Sequence, residues 1–334
     1  MDNQPLVSVI IPFFNTDRFI QEAIESLFAQ TYGSWELLLV DDGSTDRSTK
    51  IALRYAKQYP ENIRYLDHDE HQNRGLNETI NLGINKGEGE YIAVLDSDDV
   101  WLPTKLEQQV ATMISQPKAD MVYGPALYWY SWTGKAGDIE RDYVCQIGHE
   151  PNTLFEPPAL LVPFFLRKIC TTPVPSTVML RREVIERIGG FEESQFIEER
   201  LEYVKEFCNA YSDQIFYAKV CLNGSVFATD QCLVKYRLGR SDSVVAVVKR
   251  AGRAYAARLF YLNWLEKYLS VEGFRGTQIW DELQNQKKQK ALLRYRHPKF
   301  FRWSMGALHF IQNRKNQVML ITKRILFILI CLSK

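Results

Sequence analysis

Asp96, Asp98 and Asp99 follow directly on the apolar run Tyr91-Ile92-Ala93-Val94-Leu95. Carboxylates this close repel one another, and a divalent cation relieves that repulsion. Hard oxygen donors suit Mg²⁺ or Mn²⁺. The plainer reading is a solvated acidic turn in which Asp99 caps a following helix. A second acidic group, Asp41-Asp42-Gly43-Ser44, ends the apolar run at residues 35–40 in the same way.

Residues 91–95 read as a strand buried on both faces, which cannot carry charge in its middle, and 35–40 read as a second buried strand. Their carboxylates then lie at the carboxyl ends, where open α/β sheets bind ligands. Residues 6–11 read as a first strand ended by Pro12, and 63–66 as a third, with 91–95 the fourth. Between them, 17–30 shows helical spacing of Phe19, Ile20, Ala23, Ile24, Leu27 and Phe28. A helix capped by Ser44 or Thr45 runs to about residue 59, and another covers 77–86. Strands alternating with helices imply a mostly parallel, right-handed sheet. Both acidic groups then converge on one edge.

After a helix at 103–115 the chain turns aromatic, with Tyr123, Tyr128, Trp129, Tyr130 and Trp132 in strands that offer a sugar platform or plain core. Residues 135–158 read as loop. Further strands are expected at 176–180, 226–227 and 232–236, and helices at 182–188, 195–210 and 215–222. From 244 onward no strand pattern remains. Residues 318–332 are apolar apart from Thr322, Lys323 and Arg324, which fits a helix packed on the core or one lying in a membrane interface.

Composition excludes several classes. Of 334 residues 46% are hydrophobic, ample for a core. Lys+Arg 41 against Asp+Glu 40 gives a net charge of +1, which argues against a nucleic-acid binder. Cys145, Cys170, Cys208, Cys221, Cys232 and Cys331 form no metal-ligand spacing and read as buried thiols in a reducing compartment. His68, His71 and His149 read as surface or loop histidines. Pro12-Phe13-Phe14-Asn15 stands where a dinucleotide-binding dehydrogenase would carry G-x-G-x-x-G. No glycine- and lysine-rich loop suggests a nucleotidyltransferase.

Read together, these segments resemble the family 2 inverting glycosyltransferases. The resemblance is carried by Val7-Ser8-Val9-Ile10-Ile11-Pro12-Phe13-Phe14-Asn15, by Val40-Asp41-Asp42-Gly43-Ser44-Thr45-Asp46, by Asn73-Arg74-Gly75, by Gly87-Glu88-Gly89-Glu90-Tyr91-Ile92, and by Leu95-Asp96-Ser97-Asp98-Asp99 as the D-x-D signature. It extends more loosely to about residue 240. It implies a GT-A-type α/β fold: a mixed, mostly parallel central sheet flanked by helices. The expected layout is a nucleotide-sugar-binding half at 1–115, an acceptor-binding half of the same domain at 116–243, and a helical C-terminal extension at 244–334.

The resemblance also implies roles. A sugar passes from a nucleotide diphosphate, expected to be UDP, to an acceptor hydroxyl with inversion. The setting would be polysaccharide or glycoconjugate synthesis in the cell envelope. Asp98 is expected to hold the metal, Mn or Mg, and Asp96 the ribose or a metal-bound water. Asp42 is expected to accept the base N–H, with Asp41 as the alternative. Pro12, Phe14 and Asn15 would form the facing wall, with Phe14 offering a ring to stack on, and Arg74 is placed to meet a phosphate. The family's Ala-Arg-Asn is here Thr79-Ile80-Asn81, so that arginine is missing.

Inversion in one displacement needs a base opposite the leaving group. The family places an Asp of a Glu-Asp pair, at a helix start, after Gly-Gly-Phe. Here Gly189-Gly190-Phe191 is followed at a distance by Ser212-Asp213, and Glu198-Glu199 is the rival. Asp213 is favoured by the Asp-Gln-x-Phe-Tyr-Ala-Lys that continues from it. A helix N-terminus would stabilise its ionised form and weaken it as a base. Arg237, Arg240 and Asp242 follow the last strand, where they would meet the diphosphate or order a loop. The expected partners are a nucleotide-sugar donor and a glycan or glycolipid acceptor, with a homo-oligomer and peripheral membrane contact through the C-terminus also entertained. The expected location is cytoplasmic, at the inner face of the membrane. The alternative is a catalytically impaired nucleotide-sugar-binding protein.

Overall fold

Every residue of β1 (Val7–Phe13) is buried. Successive side chains point to opposite faces. Val7, Val9, Ile11 and Phe13 enter one core, and Ile10 enters another on the far side of the sheet. A strand covered on both faces can be apolar throughout, and this one is. The computed structural model describes residues 4–192, 204–240 and 243–296.

In chain order, β1 is followed by α1 (Ile20–Phe28), β2 (Trp35–Asp41), α2 (Ser48–Gln58), β3 (Ile63–Asp67), α3 (Leu76–Lys86) and β4 (Tyr91–Val94). Then come β5 (Val100–Trp101), α4 (Lys105–Ser115), β6 (Met121–Tyr123), β7 (Ala126–Trp129), β8 (Tyr143–Cys145), β9 (Thr153–Phe155), β10 (Met179–Arg181), α5 (Arg182–Ile188), α6 (Val204–Asn223), β11 (Val226–Ala228) and β12 (Val234–Arg237). Three helices close the described chain: α7 (Val244–Arg250), α8 (Ala254–Val271) and α9 (Gln278–Arg296).

Among the described residues, eight strands form a sheet in the order β3-β2-β1-β4-β10-β6-β11-β9. β1, β2, β3 and β4 are mutually parallel where they pair, and β10 runs antiparallel to both β4 and β6. The sheet is therefore mixed, flanked by helices, as expected. Connections run outward from β1 to β3 on one side and resume at β4 on the other. The β1/β4 junction is thus a topological switch point, where a crevice opens at the carboxyl ends. β1 leads there to Phe14, and β4 to Asp96.

A second sheet, β5-β12-β7-β8, was not expected. It includes β8, and β9 joins the main sheet, both from the 135–158 stretch read as loop. Their three-residue length and scattered polar residues hide the strand period. Pro12 lies inside β1 rather than ending it. Ile10 faces β4 through its carbonyl, so the missing N–H of Pro12 falls on that same side, beyond Val94 where β4 has stopped. Neither Ser44 nor Thr45 caps α2, which starts at Ser48; Asp46 accepts the Ser48 N–H at 2.8 Å.

Residues 195–203 of the helix expected at 195–210 lie outside the described residues; 204–210 and the helix expected at 215–222 are one, α6, continuous through Asp213. The C-terminal helices share the main core: Tyr261, Leu262, Leu265 and Leu269 of α8 and Leu283 of α9 are buried in it. Among the described residues no helix is long and apolar enough to cross a membrane. Residues 318–332 lie outside the described chain.

Candidate active site

The turn after β4 is held from three sides. Asp99 N–H closes it on Asp96 O at 2.9 Å. Ser176, in the turn before β10, accepts the Asp96 N–H at 3.1 Å and donates its hydroxyl to Asp99 Oδ2 at 2.6 Å. Arg237, at the end of β12, gives its backbone N–H to Asp99 Oδ1 at 2.9 Å and its Nε to Asp98 O at 2.6 Å. Its guanidinium continues to Glu22 at 2.5 Å and stacks on Phe19, Trp129 and Trp132 at 4.6, 4.5 and 5.1 Å.

Asp99 is therefore not a helix cap. It is 1% exposed and anchors the turn to β12, while α4 begins only at Lys105. Asp98 instead reaches partly into solvent, where its carboxylate pairs with Arg240. Burial pushes the Asp96 carboxyl up to about 8, and the charges of Asp98 and Asp213 add to the rise.

Asp213 lies near enough to Asp96 for its charge to raise that carboxyl. It lies well inside α6, not at its start, so a helix N-terminus does not stabilise its ionised form. Burial pushes its carboxyl up to about 6, against the pull of the Gln214 N–H at 2.7 Å and of the Lys168 ammonium. Ser212 beside it donates to Asn77 of α3, and Asn77 Nδ2 donates to Glu192 O at 2.5 Å. The donor-side helix is in this way tied to the helix that carries Asp213. The rival Glu198-Glu199 and Asp242 lie outside the described residues.

Two tyrosines that the sequence reading left unassigned complete this centre. Tyr217, one turn after Asp213, is pushed up by burial and by the charges of Asp213 and Asp96. Tyr236, next to Arg237, is pushed up by burial and then by Asp99, Asp96, Asp98 and Asp213 together. The Asp213-x-x-x-Tyr217 spacing, one turn of a helix, was the available signal for the first. Nothing local marked the second.

The opposite wall is built differently from the expectation. Asp42 is 6% exposed, and its two oxygens accept from Arg74 N (2.7 Å), Gly75 N (2.9 and 3.1 Å) and Asn73 Nδ2 (2.9 Å). Asp42 thereby shapes the 73–75 loop, whose three donors converge on its carboxylate. Asp41 is fully buried and accepts from Ser44 N, Thr49 Oγ1 and Tyr65 OH.

Asn15 Oδ1 accepts the Thr45 and Asp46 N–H groups at 2.7 and 3.2 Å, so it too fixes a loop. Pro12 is buried in β1. Phe14, by contrast, is 46% exposed at the switch point, as a stacking ring would be. Arg74 is exposed on its loop, and Ile80, in place of the family's arginine, is core.

The histidines are not idle surface groups. His71 bridges Asp67 (2.6 Å) and Ser44 O (2.8 Å), His68 meets Thr79 at 2.9 Å, and His149 pairs with Tyr123. Cys145, Cys170, Cys221 and Cys232 are free thiols, of which only Cys221 is buried.

The residues fit a divalent ion of the kind held by one carboxylate and the substrate's own phosphates. Asp98 is the accessible hard donor, and the Arg240 cation already neutralises it. Among the described residues no group of three or more His, Cys, Asp or Glu forms a dedicated metal cage.

Comparison with known proteins bears on this geometry. The profile of Glycosyl transferase family 2 matches residues 8–189, more than half of the 334. Glycosyltransferase EpsE of Bacillus subtilis is 40% identical over 111 residues, which cover 33% of this chain and 39% of that protein. The match thus spans well under half of that relative's length. Among solved structures, Staphylococcus aureus TarS in complex with UDP-GlcNAc is similar with a TM-score of 0.57 at 20% identity, covering 84% of this chain and 72% of TarS. Mannosyltransferase PcManGT of Pyrobaculum calidifontis, in complex with GDP-Man and Mn²⁺, is similar with a TM-score of 0.52 at 14% identity, covering 99% of this chain and 81% of that one. Both likenesses concern the fold, which is of the GT-A type.

Proposed function

The chain belongs to glycosyl transferase family 2, and from that premise we propose that it moves a sugar from a nucleotide diphosphate donor to an acceptor hydroxyl by a single inverting displacement. The observation that carries this reading is the nearness of Asp213 to Asp96, whose carboxyl its charge raises together with that of Asp98. A carboxyl held near 6 is a competent general base close to neutral pH. Asp213 would take the acceptor's proton as its oxygen attacks the anomeric carbon, on the face opposite the departing phosphates. Gln214 Oε1 beside it is buried without a partner and offers an acceptor for a sugar hydroxyl.

As the bond to the donor breaks, negative charge grows on the diphosphate. A divalent ion held at Asp98 would supply stabilisation of that charge. Arg240, paired with Asp98 before the donor arrives, is placed to follow the charge onto the phosphates. Phe14 would stack on the base while the 73–75 loop, shaped by Asp42, closes its edge. Asp96 would bond the ribose. The donor is read as UDP-linked and the acceptor as a glycan or glycolipid of the cell envelope.

Calorimetry with UDP or GDP in the presence of Mn²⁺ tests the donor site. Wild type is expected to bind one of them, and Asp98→Ala to lose the Mn²⁺-dependent part. Unchanged affinity in the variant would remove Asp98 from metal binding. Binding without any turnover would favour the impaired-binder alternative.

A further inference from the structure

The smaller sheet has two chemically distinct faces, because side chains alternate along each strand. One face carries Trp129, Lys235 and Arg237, packed against Phe19 and Trp132. The other carries three tyrosines in register on three neighbouring strands. Tyr236 of β12 lies opposite Tyr128 of β7, and Tyr128 opposite Tyr143 of β8. Their ring centroids are 5.5 and 5.2 Å apart, with planes inclined by 51° and 55°.

Cross-strand aromatic pairs stabilise many sheets without binding anything. This row differs at its ends. Tyr143 is 51% exposed, on the edge strand. Tyr236, at the inner end, directly precedes Arg237, whose backbone N–H bonds Asp99 Oδ1 at 2.9 Å. The row therefore runs from solvent to the reaction centre. Beside its middle, Tyr128 borders a small cleft of about 10 Å³ that is also lined by Ala126, Cys145, Thr171, Thr172 and Pro173.

We propose that Tyr143, Tyr128 and Tyr236 form the track on which an acceptor oligosaccharide lies, leading its terminal hydroxyl to Asp213. The proposal rests on the sugar-transfer reading and adds to it the class of acceptor. A pyranose ring has an apolar C–H face that packs on an aromatic ring and a rim of hydroxyls that bonds polar neighbours. Tyrosine serves both needs, with an apolar body and a polar tip. The spacing of adjacent rings is close to the length of one sugar residue, so two or three linked sugars would meet successive tyrosines. A single sugar would meet one ring and bind weakly.

A saccharide array carrying oligosaccharides and their monosaccharides tests the track with the full-length chain. In parallel, calorimetry with UDP or GDP and Mn²⁺ reports the donor site. Wild type should bind oligosaccharides in preference to the monosaccharides. Tyr143→Ala should weaken that binding roughly 3- to 10-fold, the worth of one aromatic contact, while donor-site binding stays as in wild type. Tyr143→Phe should bind close to wild type. Tyr128→Ala should act in the same direction as Tyr143→Ala, and the exposed Tyr143 decides the matter if the Tyr128 variant does not fold.

If wild type binds a nucleoside diphosphate but no saccharide on the array, or if Tyr143→Ala binds saccharides undiminished, the track is overturned and the donor reading stands. If wild type binds neither UDP nor GDP, the sugar-transfer reading fails and takes the track with it.

Discussion

Asp213 owes its chemistry to its surroundings rather than to its position in a motif. From sequence it sits at a helix start, where the helix dipole would hold it ionised and weaken it as a base. In the structure α6 runs through it, and burial pushes the carboxyl up to about 6. The base acts in its ionised form, so its working fraction grows as pH rises. kcat/KM is therefore expected to climb about tenfold per pH unit below 6 and to level off above it, reporting the free protein's carboxyl. A profile flat from pH 5 to 8 would mean that a different group takes the proton. Asp42 teaches the converse. It looks like a ligand group in sequence, yet four hydrogen bonds from 73–75 occupy it. Residue type and strand-end position were legible; the hydrogen bonds from a loop about thirty residues away, given by the Arg74 and Gly75 N–H groups and the Asn73 side chain, were not.

At the scale of elements, loops at the carboxyl edge hold one another. The Asp41-Asp42-Gly43-Ser44 loop packs so closely on 71–73 that a Cβ at Gly43 would stand 2.7 Å from His71 O and 2.8 Å from Asn73 N. Gly43 also has φ of +77°. Gly43→Ala is expected to cost about 1–3 kcal/mol, read by urea denaturation, and to weaken nucleoside diphosphate binding together with stability. A stable variant with unchanged binding would contradict this account of the wall. The four parallel strands, their helices and the switch point were readable in advance, because long apolar runs and 3.6-residue spacing leave few alternatives. The second sheet was not. β5, β7, β8 and β12 are two to four residues long, and only their pairing through Arg237, Asp99 and the tyrosine row gives them meaning. Ser176 was likewise invisible as a site residue, since its partners lie 77 and 80 positions away.

The molecule as a whole is organised around that edge. The β1/β4 junction supplies the proposed donor wall and the D-x-D turn. β12 and the turn before β10 lock the turn from the other half, and α6 brings in Asp213, the proposed base. The C-terminal helices are part of this arrangement, because α8 buries Tyr261, Leu262, Leu265 and Leu269 in the same core that holds α6. Leu265→Ala should cost about 2–5 kcal/mol and lower the midpoint of a single unfolding transition. A separate early transition, with the rest unaffected, would show that α8 folds independently. The central claim is that Asp213 and the D-x-D carboxylates work as one catalytic centre. The most direct measurement is sugar transfer by Asp213→Asn, using the donor identified by its binding, alongside calorimetry of that donor. The account predicts donor binding close to wild type with transfer lost by several orders of magnitude. Transfer at an undiminished rate, with the donor bound as before, would contradict it.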